Sequence, residues 1–187
     1  MPRVIVLGID PGSRRCGFGV VAREGRRLRV IESGVIAPRP GPMPARLAAI
    51  LDGLAAVIVR AGPAEVSVEQ VFSGVSPRSA LALGQARGVA LAAAARAGLP
   101  VFEYAPAAVK LAFTGSGRAS KDQMLRTARA LLGVAPGIAD EADALALAVC
   151  HLARRALRVP PGPPAPDRAR AAAARLVPAR RDHRRAP

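Results

Sequence analysis

The stretch Val4-Ile5-Val6-Leu7-Gly8-Ile9 is an unbroken aliphatic run that stops abruptly at Asp10-Pro11-Gly12-Ser13. Apolar residues without polar alternation predict a strand buried on both faces, which requires a sheet with helices packed on each side. Pro11-Gly12 ends the strand in a turn. Asp10 then falls where the strand leaves the core, and a carboxylate there is costly unless a cation, a basic side chain or several N–H groups satisfy it. Two readings of Asp10 follow: a cap on its own turn, or one member of a group of converging acids.

The rest of the chain supplies a sheet for that strand. Gly17–Ala22 and Leu28–Ala37 flank the charged turn Arg23-Glu24-Gly25-Arg26-Arg27 and predict an antiparallel meander. After the proline-rich segment 38–44, Leu47, Ile50, Leu51, Leu54 and Ile58 recur at helical spacing, and Gly62-Pro63 stops that helix before a short strand, Glu65–Glu69. Ser76-Pro77 supplies a cap and a first-turn proline for a long alanine-rich helix ending at Gly98. Gly84 and Gly88 share one face of it, which predicts close approach by another element, within the monomer or across a dimer. Leu99–Tyr104 reads as a fifth strand, Ser120-Lys121-Asp122-Gln123 as a capping box opening a helix to about Leu132, and Ala139–Leu157 as the last helix. The order β-β-β-α-β-α-β-α-α predicts an α/β fold, ribonuclease-H-like, with a five-stranded mixed sheet flanked by helices.

Charge narrows the partners. The chain of 187 residues carries a formal +15, which points to polyanions. Residues 159–187 hold seven arginines against two aspartates and seven of the 18 prolines. We read them as a disordered Pro/Arg-rich tail with a salt-sensitive hold on nucleic acid, following a single domain over residues 1–158. No apolar run approaches a membrane span and no signal segment opens the chain, so a cytoplasmic protein is expected. Cys16 and Cys150 lack metal-ligand spacing and read as packed thiols, and His151 and His183 are too few for a histidine-rich metal site.

Four acids stand out by position. Asp10 and Glu69 end the first and fourth strands, and Asp140 and Asp143 lie on one side of the first turn of the last helix. Each has an ordinary explanation, helix-dipole pairing for the two helical acids and a solvated strand end for Glu69. Together, at one sheet edge, they would repel one another and raise one another's pKa values, a conflict that divalent cations resolve. Oxygen-only ligands suit Mg²⁺ or Mn²⁺, and an ion pair about 3.5 to 4 Å apart serves phosphodiester hydrolysis. Of 28 basic residues only Lys110 and Lys121 are lysine, and Lys121 opens a helix, where phosphate is favoured.

The motif Leu7-Gly8-Ile9-Asp10-Pro11-Gly12-Ser13, the run Val68-Glu69-Gln70-Val71-Phe72, the segment Leu83-Gly84-Gln85-Ala86-Arg87-Gly88, the pair Val109-Lys110 and the stretch from Asp140-Glu141-Ala142-Asp143 to Cys150-His151 resemble the RuvC family of Holliday-junction resolvases. The resemblance runs in order from Arg3 to about Leu157. It implies a homodimeric Mg²⁺-dependent endonuclease with two ions per site, for which Mn²⁺ substitutes. Such an enzyme makes paired symmetric nicks in four-way DNA junctions during recombination and repair, leaving 5′-phosphate and 3′-hydroxyl ends. Its metal-binding catalytic acids fall on Asp10, Glu69, Asp140 and Asp143. Its junction-probing aromatic falls on Phe72, its DNA-contacting lysines fall on Lys110 and Lys121, and its partner is the RuvAB branch-migration complex. Two departures stand out: Ser76 replaces an asparagine usual in relatives, and Glu141 adds a charge beside the expected metal site. Competing readings are a junction-binding module without cleavage, an ATPase of the actin and sugar-kinase type, and an RNA-directed nuclease. Retention of all four acids argues against the first, and the lack of a second phosphate loop against the next.

Overall fold

The computed structural model describes residues 3–70 and 76–157; Phe72 and the tail 159–187 lie outside the described residues. The first compact unit of the chain ends at Leu157. Its elements are β1 (Val4–Asp10), β2 (Cys16–Glu24), β3 (Arg27–Ile36), α1 (Met43–Ala61), β4 (Glu65–Glu69), α2 (Pro77–Arg96), β5 (Val101–Tyr104), α3 (Pro106–Thr114), α4 (Lys121–Leu132) and α5 (Ala139–Leu157).

The strands form one sheet in the order β3-β2-β1-β4-β5, antiparallel across β3-β2-β1 and parallel across β1-β4-β5. This is the mixed, ribonuclease-H-like sheet that the element order implies. β1 lies at its centre, which explains why its run shows no polar alternation. Successive β1 side chains point to opposite faces. Leu7 and Ile9 enter a core with α1 and α2, containing Ile50, Leu54, Val57, Ala90 and Ala94. Val6 enters the other, built with α3, α4 and α5, containing Val109, Phe113, Met124 and Leu145.

On that second face, glycines let α5 approach unusually closely. A Cβ on Gly8 would stand 2.0 Å from the Ala144 carbonyl oxygen, and one on Gly19 would stand 2.8 Å from the Leu145 nitrogen. Ala144 and Ala148, both fully buried and one turn apart, present only methyl groups on the helix side. Backbone therefore rests on backbone, and the seating of α5 is fixed by steric limits rather than by adjustable side chains.

Two expectations change. Pro106–Thr114 is a helix where the sequence reading had none. Pro106 fits its first turn, Val109 and Phe113 pack one face, and Gly115 closes it at φ +80°. Among the described residues a Cβ on Gly84 or Gly88 meets nothing within 4 Å, so the close approach, expected within the monomer or across a dimer, is not made by the described part of the monomer. Ser76 and Ser120 do cap α2 and α4, accepting hydrogen bonds from the Ser79 and Gln123 N–H groups.

Candidate active site

Asp10 ends β1 on the face covered by α5. The parallel pairing Gly8↔Ser67 and Ile9↔Val68, carried one residue further, sets Asp10 beside Glu69 at the end of β4. The antiparallel register pairs Asp10 with Gly17. A Cβ on Gly17 would lie 2.0 Å from the Asp140 carbonyl oxygen and 3.4 Å from the Asp10 Cβ, so the start of α5 meets the end of β1 there. Asp143 follows Asp140 by three residues, near one turn of helix, and shares its side. Two strand ends and one helix start thus bring together the four acids singled out from the sequence.

Their electrostatics record the proximity. Burial, reinforced by the charges of Glu69, Asp143 and Asp140, pushes the Asp10 carboxyl up to about 8. Burial and then Asp143 raise Glu69 against the pull of Lys110. Burial raises Asp143, Lys110 opposes it, the Asp140 charge adds to it and Lys121 opposes it again. Lys110 and Lys121 therefore both lie within electrostatic reach of the acids, one on α3 and the other at the start of α4. No hydrogen bond from the described residues reaches the Asp10 carboxylate, which removes the turn-cap reading. Arg15, not singled out from the sequence, stands 4.0 Å from Asp140 through its Nη1.

The donor set suits a hard divalent cation: oxygens only, in carboxylates whose crowding a positive ion would relieve. Among the described residues no three acidic, histidine or cysteine side chains are gathered closely enough, as they stand, to share one ion. The four acids are linked instead through their mutually repelling charges. Cys16 and Cys150 are free and buried, and burial pushes the Cys16 thiol up to about 12, far from any ligand role at neutral pH.

Glu141 corrects an expectation. Its Oε1 accepts the Ser33 hydroxyl at 2.7 Å and its Oε2 accepts the Gly137 N–H at 3.0 Å, tying the start of α5 to β3. It is a helix anchor turned from the acids, and it contributes to none of their shifts. A second anchor, undetected from the sequence, lies further along α5. Buried His151 bonds the Tyr104 hydroxyl at 2.6 Å through Nδ1 and Glu65 at 2.5 Å through Nε2, while the Arg155 Nε donates to both Glu65 oxygens. The signal available was an alternation: Glu65, Ser67 and Glu69 all face α5, so a strand with an acid at its end also carries one at its start.

Fold and site together define a ribonuclease-H-like nuclease. The family model described as crossover junction endodeoxyribonuclease RuvC matches residues 6–151. The chain belongs to the RuvC family of crossover junction endodeoxyribonucleases. It is 76% identical to the protein of that name from Anaeromyxobacter dehalogenans, over 98% of this chain and 100% of the relative. It is 48% identical to that of Trichlorobacter lovleyi, over 84% and 90%. Among solved structures, Thermus thermophilus RuvC in complex with a Holliday junction substrate superposes with a TM-score of 0.77 at 36% identity, covering 82% of this chain and 96% of that one. The yeast mitochondrial resolvase Ydc2 shares the fold, with a TM-score of 0.59 at 16% identity, covering 81% and 78%. Membership of the family carries dependence on a divalent metal ion. No helix among the described residues is long and apolar enough to cross a membrane.

Proposed function

We propose that this chain resolves four-way DNA junctions as a homodimer, each protomer cutting one strand with Asp10, Glu69, Asp140 and Asp143 as the metal-binding catalytic acids. The observation that supports the reading is the placement of the four acids at the adjoining ends of β1 and β4 and the start of α5, where burial and the charges of the other three push the Asp10 carboxyl up to about 8. Two Mg²⁺ ions, or Mn²⁺ in their place, are the cofactor we assign. When bound, such a pair activates water and stabilises the leaving oxygen in phosphodiester hydrolysis, here leaving 5′-phosphate and 3′-hydroxyl ends.

The protein supports that chemistry in three ways. β1 and β4 fix Asp10 and Glu69 on the most constrained strands of the sheet, and the glycine-seated start of α5 fixes Asp140 and Asp143 against them. Holding groups within such limits is what makes reaction at a bound substrate effectively unimolecular. Lys110 and Lys121 offset the carboxylate field facing an incoming phosphate, and we assign them to the DNA. Phe72, just past Glu69, is assigned to an opened base, where stacking is worth about 1 to 3 kcal/mol.

A two-fold junction calls for a two-fold enzyme. The exposed face of α2 carries Leu81, Gly84 and Gly88, with Leu81 66% exposed and open space beside both glycines, and we place part of the dimer contact there. The RuvAB motor and a cytoplasmic setting complete the proposal by family analogy. The test is incubation with a synthetic four-way junction and Mg²⁺, mapping every strand at nucleotide resolution. Paired cuts at symmetry-related positions are expected; single random nicks, or preference for structured RNA in competition, would reject the reading.

A further inference from the structure

Away from the acids, buried polar side chains gather where α5 crosses β4 and β5. His151, 1% exposed, bonds the Tyr104 hydroxyl at 2.6 Å and Glu65 at 2.5 Å, and its ring centroid stands 4.4 Å from that of Phe102. Burial opposes ionisation of Glu65, yet the bonds from His151 and Arg155 hold its carboxyl below the usual range, so it accepts. The His151 Nε2 therefore carries a proton, and Nδ1 of the neutral ring accepts the Tyr104 O–H. An apolar core of the same shape would be about as stable; what such a chain of bonds adds is direction.

The place of Tyr104 in the chain gives that direction a consequence. Tyr104 ends β5, an edge strand of four residues, and is the register partner of Glu69. The Gln70 N–H donates to its carbonyl oxygen at 2.9 Å. Two residues on, Pro106 opens α3, and Ala105 at the cap position gives the first-turn N–H groups no side-chain bond. Lys110 follows Pro106 by four residues, just over one turn. The Cys150 thiol also meets α3, at the Ala108 carbonyl oxygen, but at 3.9 Å a thiol orients weakly. The direction in which α3 sets out thus depends on where Tyr104 is held. We propose that Tyr104, latched by His151 and Glu65, is a positioning residue that aims α3 so that Lys110 faces Glu69 and Asp143. Burial raises both of those carboxyls and Lys110 opposes the rise at each, so its placement counts twice. The inference rests on the nuclease reading and adds what holds the lysine in place.

Tyr104→Phe tests it by removing the hydroxyl and keeping the ring; His151→Leu frees the same hydroxyl from the other side and should give the same pattern. Ile50→Val, a fully buried site in the opposite core, is the control for lost stability alone. Single-turnover nicking is measured at saturating junction, at a temperature where circular dichroism shows every variant folded, in the wild-type and Lys110→Ala backgrounds. Tyr104→Phe should slow nicking by about 10- to 100-fold when Lys110 is present. In the Lys110→Ala background the same substitution should change little, because the two side chains act as one unit. Hydrogen exchange gives a readout free of activity: the Val109 and Lys110 amides should exchange faster in Tyr104→Phe and at the wild-type rate in Ile50→Val. An unchanged nicking rate, an equal loss with and without Lys110, an equal loss in Ile50→Val, or wild-type exchange across α3 would overturn the assignment. Failure of wild type to cut the junction would instead overturn the nuclease reading, with the exchange result still reporting whether Tyr104 sets α3.

Discussion

Gly8→Ala places one methyl group where the backbone of α5 already sits. The new Cβ would lie 2.0 Å from the Ala144 carbonyl oxygen and 2.8 Å from the Ala148 nitrogen, against the 3.4 Å at which ordinary contact begins. Neither atom belongs to a flexible side-chain end, so the relief must come from lifting the helix by roughly 1.4 Å at Ala144. Overpacking of this kind costs about 1 to 3 kcal/mol. For a domain of this size each kcal/mol lowers Tm by roughly 2 to 4 °C. Asp140 and Asp143 ride on the turn preceding Ala144, while Asp10 and Glu69 stay with β1 and β4. A misplacement of about 1 Å between groups that act together costs on the order of 100-fold in rate. Calorimetry and single-turnover nicking should therefore show both losses, with Gly137→Ala, whose Cβ meets nothing within 4 Å, as an unaffected control. A wild-type Tm in Gly8→Ala would refute the claimed seating of α5. A lowered Tm with an unchanged nicking rate would refute the claim that this seating positions the acids.

Other consequences concern charge. Because Asp10 titrates at about 8 when folded and near 3.8 when unfolded, its penalty is absent below pH 3.8, grows as pH rises and is complete above pH 8. Metal-free Asp10→Asn should accordingly melt higher than wild type at pH 8 and equally at pH 4 or below, as pH-dependent calorimetry would show; equal melting at pH 8 would refute the crowding. Glu65 shows the opposite sign. Burial alone would raise it, but hydrogen bonds from His151 and Arg155, with their charges, carry it below its usual range. The stability it contributes is present above about pH 4.5 and is lost as pH falls through the lower folded value, so Glu65→Gln should lose about 1 to 3 kcal/mol at pH 7 by denaturant melting. Glu141→Ala should lose roughly 1 kcal/mol through Ser33 and Gly137 while Mg²⁺ affinity in calorimetric titration stays at the wild-type value; weakened ion binding would return Glu141 to the metal site.

Much of this arrangement is legible in the sequence because local pattern and global position coincide. The unalternating β1 run betrays a central strand, and acids at two strand ends and one helix start have a single meeting place in such a sheet. What stays hidden has physical causes. α3 carries little periodic contrast over nine residues, so only its Pro106 start and Gly115 stop mark it. Glu141, next to Asp140 and two positions before Asp143, differs from them in role only by where β3 places Ser33, a long-range fact that spacing cannot encode. Gly8, Gly17 and Gly19 read locally as weak strand residues, and their purpose exists only against α5.

The central claim is that four carboxylates act as one divalent-ion site. Its most direct measurement is calorimetric titration of Mg²⁺ and Mn²⁺ into wild type and into Asp10→Asn, Glu69→Gln, Asp140→Asn and Asp143→Asn, with nicking and junction binding followed in parallel. Each substitution should weaken ion binding and suppress nicking while junction affinity persists. Any one of the four that binds ions and cuts like wild type contradicts the account.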